Sequence, residues 1–246
     1  MRRSLFLLAL VGCGDPEPAS PDAPPASPDA AVVDVDAPLD APAVFGDLAG
    51  MCGVLNDPEL TGPSPLMVRA SLTFARAFVD PVDRVLLTPG GRRIAETPNA
   101  GGSSALSEVF AFEQLARCEI ASLLKTETEI TYDTAGKITD ILVEVDGHKI
   151  GVSVTRAVAF PFGSTYSLSD ATTLLMRKLG DVQASSMNVS AADRWEKQIL
   201  AYLAWDDATA DTVAQAWSMI DASTKGDTIL LVTVTHGEDV FIYSNN

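Results

Sequence analysis

Two carboxylates stand where a cation or a proton could be handled. Glu113 falls in the middle of the apolar face of residues 104–125, SALSEVFAFEQLARCEIASLLK, with Arg117 one turn later. Asp140 lies on an alternating run, KITDILVEV, sharing a face with Ile138, Leu142 and Glu144. Ser153 and Thr155 sit on the next run, KIGVSVTRAV, and Lys178 lies at the margin of the apolar face of the following helical segment. Carboxylates from separate elements can gather a divalent cation, but Mg²⁺ wants near-octahedral oxygen ligation from one or two carboxylates plus waters. Only Glu108 and Glu144 stand near enough to add a third. Glu113 keeps two readings, a site role or an ion pair with Arg117 at i+4. Asp140 and Glu144 keep the alternative of facing solvent.

Other chemistries find less support. The two histidines, His148 and His236, lie in or beside expected turns, and no His/Cys spacing suits zinc. GGSSALS lacks the strand and spacing of a nucleophile elbow. DDATAD lacks the central Gly and terminal Glu of a calcium loop.

The elements that must position these residues follow from periodicity. Residues 65–77 alternate as a strand, and DRVLL (83–87) and RRIA (92–95) read as short strands about a TPGG turn. Together residues 51–103 read as a small N-terminal β region. The 104–125 segment reads as one helix capped by Ser103 or Ser104. Asp146-Gly147 between two alternating runs signals a hairpin. On its second strand Gly151, Ser153, Thr155 and Ala157 share one face, while Ile150, Val152, Val154 and Arg156 share the other. SLSDATTLLMRKLGDVQ is a helix capped by Ser167 or Ser169, and KQILAYLAW is a buried strand. A second capped helix, DATADTVAQAWSMID, and two strands, DTILLVTVT and DVFIY, complete the chain. The fold class is α/β, a mixed sheet flanked by helices.

This order, with Asp140 on a strand and an x-x-x triplet after twelve intervening residues, resembles the restriction endonuclease-like, or PD-(D/E)XK, family over residues 104–205. The resemblance implies an αβββαβ core with a helix acid, here Glu113, and a strand Asp, here Asp140. The D/E-x-K triplet would fall on Ser153-Val154-Thr155. In that family the acids bind Mg²⁺ and the lysine orients the attacking water. Ser153 removes a carboxylate and Thr155 removes the ammonium, although Lys178 could act as a migrated lysine. The resemblance therefore implies a nuclease-like fold without nuclease chemistry. The small residues of the Ser153 face are expected to admit the helix from Ser104, so that Glu113 points toward Asp140 with Arg117 or water between them.

The first thirteen residues set a location. Arg2 and Arg3 precede an apolar stretch from Leu5 to Val11, far short of the roughly 20 residues that span a bilayer. A charged start, a short apolar run and small Gly12 describe a secretory signal. Leu10-Val11-Gly12-Cys13 resembles the bacterial lipobox, which implies cleavage before Cys13 and lipidation of it. Gly14 is not the Asp that marks inner-membrane retention, so the outer membrane is favoured within the cell envelope. Residues 13–50 read as a disordered tether: positions 14–50 hold eight Pro and eight acidic residues and no Lys or Arg. Such a chain in polyproline II form reaches on the order of 100 Å.

Residues 51–246 carry 25 acidic and 15 basic residues, within a whole-chain net charge of −16. That balance disfavours nucleic acid, whose binders show a basic face. Beyond Cys13 two cysteines remain, and export implies that Cys52 and Cys118 pair, stabilising by about 4 kcal/mol in the chain-entropy model. The expectation is a lipid-anchored, exported protein with a noncatalytic binding or structural domain. No cofactor is expected, and the protein or small-molecule partner stays open. The alternative is a Mg²⁺-dependent phosphodiesterase using Glu113 and Asp140.

Overall fold

The alternating and fully apolar runs assemble into one seven-stranded mixed sheet in a computed structural model that describes residues 44–98 and 105–244. The signal segment, Cys13, most of the tether and the Ser103/Ser104 cap lie outside the described residues. In chain order the elements are β1 (Asp47–Gly50), α1 (Asp57–Thr61), β2 (Leu66–Phe74), α2 (Pro89–Glu96), α3 (Ala105–Cys118), β3 (Ser122–Thr126), β4 (Ile141–Val145) and β5 (His148–Ala157). There follow α4 (Leu168–Asn188), β6 (Lys197–Ala204), α5 (Asp207–Met219), α6 (Ala222–Lys225), β7 (Ile229–Gly237) and α7 (Val240–Tyr243). The spatial strand order is β1-β2-β7-β6-β5-β4-β3. Strands β2, β7, β6 and β5 run parallel, and β1, β4 and β3 join antiparallel at the two edges. The stretch from α3 to β6 has the αβββαβ order that the family resemblance implies.

Both faces of the sheet are covered, which is why β6 and β7 are almost uninterrupted apolar runs. On one face, Val152, Val154, Ile141 and Val143 pack with α3 residues and with a cluster of phenylalanines including Phe45, Phe74, Phe78 and Phe110. On the other, Ala157, Leu200 and Tyr202 pack against Leu175 and Leu179 of α4 and Val213 of α5. Each fully buried Leu, Val or Phe is worth about 1.5–3 kcal/mol, so both interfaces are strongly held.

Several expectations need correction. The tether gives way to folded chain before residue 50: Phe45 is buried and β1 pairs with β2. Within residues 51–103, β2 joins the same sheet as the core strands, between β1 and β7. DRVLL lies largely in a 3-10 turn (Val82–Leu86), and RRIA belongs to α2. That helix begins with Thr88, whose hydroxyl accepts from the Gly91 N–H, followed by Pro89 at the first helical position. The 104–125 helix stops at Cys118. Ile120 adopts φ 55°, the Ala121 N–H folds back to the Leu115 carbonyl, and β3 begins at Ser122. DVFIY forms the short helix α7 rather than a strand.

The Asp146-Gly147 hairpin is present, with positive φ at both residues (49° and 84°), as a primed turn requires. Ser167 caps α4 in a reciprocal box with Asp170. Cys52 and Cys118 form a disulfide with Cα atoms 4.5 Å apart, tying the segment after β1 to the end of α3. Among the described residues no helix is long and apolar enough to cross a membrane.

Candidate functional site

Where β4 parts from β5, the backbone ladder ends and a side chain takes over. The Asp140 N–H donates to the Val152 carbonyl at 3.1 Å, and its Oδ2 accepts the Val154 N–H at 2.6 Å. The carboxylate thus replaces a missing strand partner. The Ile141–Val152 pairing and strand alternation put Asp140 on the face of Ser153, as expected. Ser153 is buried, its hydroxyl 3.0 Å from that of Thr139. Thr155 follows on the same face, half-buried. The Lys178 amino group, from α4, reaches the Val154 carbonyl at 3.5 Å and lies close enough to draw the Asp140 pKa downward. Burial wins, however, and the Asp140 pKa is pushed up to about 6. Asp140, Ser153, Thr155 and Lys178 are therefore brought to one place.

Glu113 is not. α3 packs on the Val152 and Val154 face, while α4 occupies the face of Ser153. The expectation that α3 covers the small residues and aims Glu113 at Asp140 is overturned. The long, branched residues of the other face make the deeper apolar seat that a helix buried from Ser107 to Leu115 requires. Fully buried Glu113 turns to the start of α2 instead, where Oε1 accepts from the Thr88 N–H at 2.8 Å and hydroxyl at 2.6 Å. An anion there satisfies an open helix N-terminus. Burial raises the Glu113 pKa; the bonds from Thr88 and the charges of Arg117 and Arg92 oppose the rise. Arg117 does not bond Glu113. Its guanidinium donates to the Phe45 and Gly46 carbonyls at 3.1 and 2.8 Å.

The carboxylates thus serve the backbone on opposite sides of the sheet. Glu144, exposed on β4, adds no third ligand, and among the described residues no three His, Cys, Asp or Glu side chains gather to hold a metal ion. One carboxylate beside a lysine can exchange a proton near neutrality but lacks the oxygen set that Mg²⁺ demands.

Two other groupings escaped the sequence. His148 bridges carboxylates, with Nδ1 2.8 Å from Glu196 and Nε2 3.0 Å from Asp57, and the Glu196 contact leads in raising its pKa. Its turn position was legible, but partners 48 and 91 residues away were not. The second is a cavity of about 480 Å³ where β5 ends and α4 begins, lined by Arg156, Phe160, Tyr166, Asp170, Leu174 and Arg177 among others. It lies at the carboxyl end of a parallel strand, the usual place for a ligand in an open α/β sheet. Only the helix cap at Ser167 was legible there.

No family model matches the chain. The AAC-rich mRNA clone AAC4 protein of Dictyostelium discoideum is 40% identical over 163 residues, which cover 63% of this chain and 24% of that protein. The chain thus spans about a quarter of the length of this curated relative. Among solved structures, Pyrococcus furiosus SfsA in complex with Ca²⁺ aligns with a TM-score of 0.28 and 13% identity, over 54% of this chain and 55% of that one.

Proposed function

We propose that the chain is an exported lipoprotein, anchored to the outer membrane of a cell envelope through Cys13, whose α/β domain binds a ligand without catalysing a reaction. The observation that carries the noncatalytic half is the Asp140–Val154 hydrogen bond. The one acid in the expected strand position is occupied by a backbone amide, and the helix acid Glu113 lies across the sheet at the start of α2. The disulfide supports export, since such pairs persist in oxidising compartments. The lipobox-like Leu10-Val11-Gly12-Cys13 supports the anchor. A single acyl chain binds membranes only marginally, so stable attachment takes more than one.

Two measurements test the two halves. Fatty-acid labelling should mark the wild-type protein and not Cys13→Ser; equal labelling of both removes the anchor. Hydrolysis of bis(p-nitrophenyl) phosphate with Mg²⁺ or Mn²⁺ should stay at background; turnover that Asp140→Asn abolishes removes the noncatalytic reading. The meeting of Asp140 and Lys178 at Val154 favours a second reading, a residual metal-dependent phosphodiesterase with the lysine supplied from α4. The hydrolysis assay decides between them.

A further inference from the structure

The cavity between the end of β5 and the first turns of α4 holds a buried hydroxyl with nothing to bond. Tyr166 lines it with 8% of its surface exposed, and its OH has no hydrogen-bond partner among the described residues. The Tyr202 OH is likewise buried and unpartnered, and feels the charge of both Tyr166 and Arg177. A buried hydroxyl left unpaired costs about 1–3 kcal/mol, and native structures keep few of them. The Tyr166 hydroxyl, which lines the cavity, calls for a polar occupant.

The charges around the cavity give that occupant its sign. Arg177, exposed on α4, is engaged in none of the ion pairs among the described residues. Arg156, on the opposite wall, donates to the Ile242 and Tyr243 carbonyls and is held in place by them. Asp170 is committed to the Ser167 cap. The lining is therefore net positive in a chain of net charge −16. One accessible guanidinium fork matches a planar carboxylate in two parallel bonds. Asp170 nearby disfavours a dianion. The remaining walls combine apolar Val158, Leu174 and exposed Phe160 with the hydroxyls of Ser164, Thr165 and Thr173. A volume of about 480 Å³ suits a small organic molecule.

We propose that this cavity is a binding site for a small organic carboxylate with a flat apolar body, its carboxylate held by Arg177 and the Tyr166 hydroxyl and its body against Phe160 and Leu174. The site rests on the reading of the domain as a binding module and supplies that module's ligand class. It differs in place from the Asp140 region.

The test is calorimetric titration of the full chain, disulfide formed, with benzoate, benzyl alcohol and inorganic phosphate. Benzoate should saturate one site per chain and bind at least tenfold more tightly than the other two. Arg177→Gln should weaken benzoate at least tenfold. Tyr166→Phe should weaken it several-fold while leaving the urea midpoint unchanged or higher, because the lost hydroxyl has no partner within the protein. Absence of saturation, equal affinity for benzyl alcohol, tighter binding of phosphate, or an unchanged Arg177→Gln affinity would each overturn the site. A lowered midpoint in Tyr166→Phe would also count against it, by revealing an internal partner. Metal-dependent hydrolysis would overturn the noncatalytic reading and leave benzoate affinity as it is, so the two failures are distinguishable.

Discussion

Replacing Asp140 by Asn should make the domain more stable at pH 7, although Asp140 makes a short hydrogen bond. The carboxylate is pushed from 3.8 to about 6, chiefly by burial. A shift of that size corresponds to about 3 kcal/mol between protonation states. The folded-state pKa is the raised one, so the native state binds the proton more tightly. Its favourable contribution is complete below about pH 4 and is lost as pH rises through about 6. At pH 7 the ionised carboxylate therefore opposes folding. Asn keeps an oxygen acceptor for the Val154 N–H and carries no charge, but gives up the attraction to Lys178. The expected net gain is roughly 1–3 kcal/mol at pH 7, falling to near zero at pH 4. The assay is urea unfolding of both proteins, disulfide intact, at several pH values between 4 and 7. Other titrating groups cancel in the difference. A variant less stable at pH 7, or a difference independent of pH, would refute the reasoning and mean that the carboxylate is held ionised by a partner stronger than Lys178.

The remaining predictions concern other positions. Gly91→Ala should destabilise by about 2 kcal/mol or more, because the new Cβ would stand 2.1 Å from Glu113 Oε1 in a packed interior; an unchanged urea midpoint would contradict the placement of Glu113. Glu113→Ala should cost a similar amount, about 2 kcal/mol, by leaving the Thr88 N–H unpaired, and Glu113→Gln distinctly less; equal losses would argue against the acceptor role. Ile120→Gly should stabilise by up to about 1 kcal/mol, since a β-branched residue at φ 55° is strained; a lower melting temperature would count against this. His148 should titrate above the ordinary imidazole range by NMR, giving stability that is present at low pH and lost as pH rises through its raised folded pKa; Glu196→Gln should lower that pKa.

How far the sequence led depends on the range of each interaction. Strand alternation carried β5 well: Val152 and Val154 face α3, and Ser153 shares the other face with Asp140, as parity requires. Asp146-Gly147 encoded its hairpin locally, and Ser167-x-x-Asp170 its helix cap. The end of α3 was hidden, because EIASLLK continues a helical apolar pattern while Ile120, a residue with no turn propensity, makes the left-handed break. PGGRRIAE looked like a turn and a strand, since two glycines disfavour helix; close packing on Phe112 and Glu113 is what needs them. Residues 44–50, VFGDLAG, are too short to show a period of their own, and β1 gains a strand partner that only the fold supplies. The side of the sheet on which Glu113 lies could not be read from α3 alone. It depends on which of two covered faces receives the helix, and that is decided by the volumes of Val152 and Val154 against those of Gly151 and Ser153.

The pocket of Asp140, Ser153 and Lys178 is proposed to be closed to metal. Isothermal titration of the disulfide-bonded protein with Mg²⁺ and Mn²⁺ at pH 7 tests it most directly. Neither ion should give saturable heat, and wild type and Asp140→Asn should be indistinguishable. Saturable binding at one ion per chain that Asp140→Asn removes would contradict it.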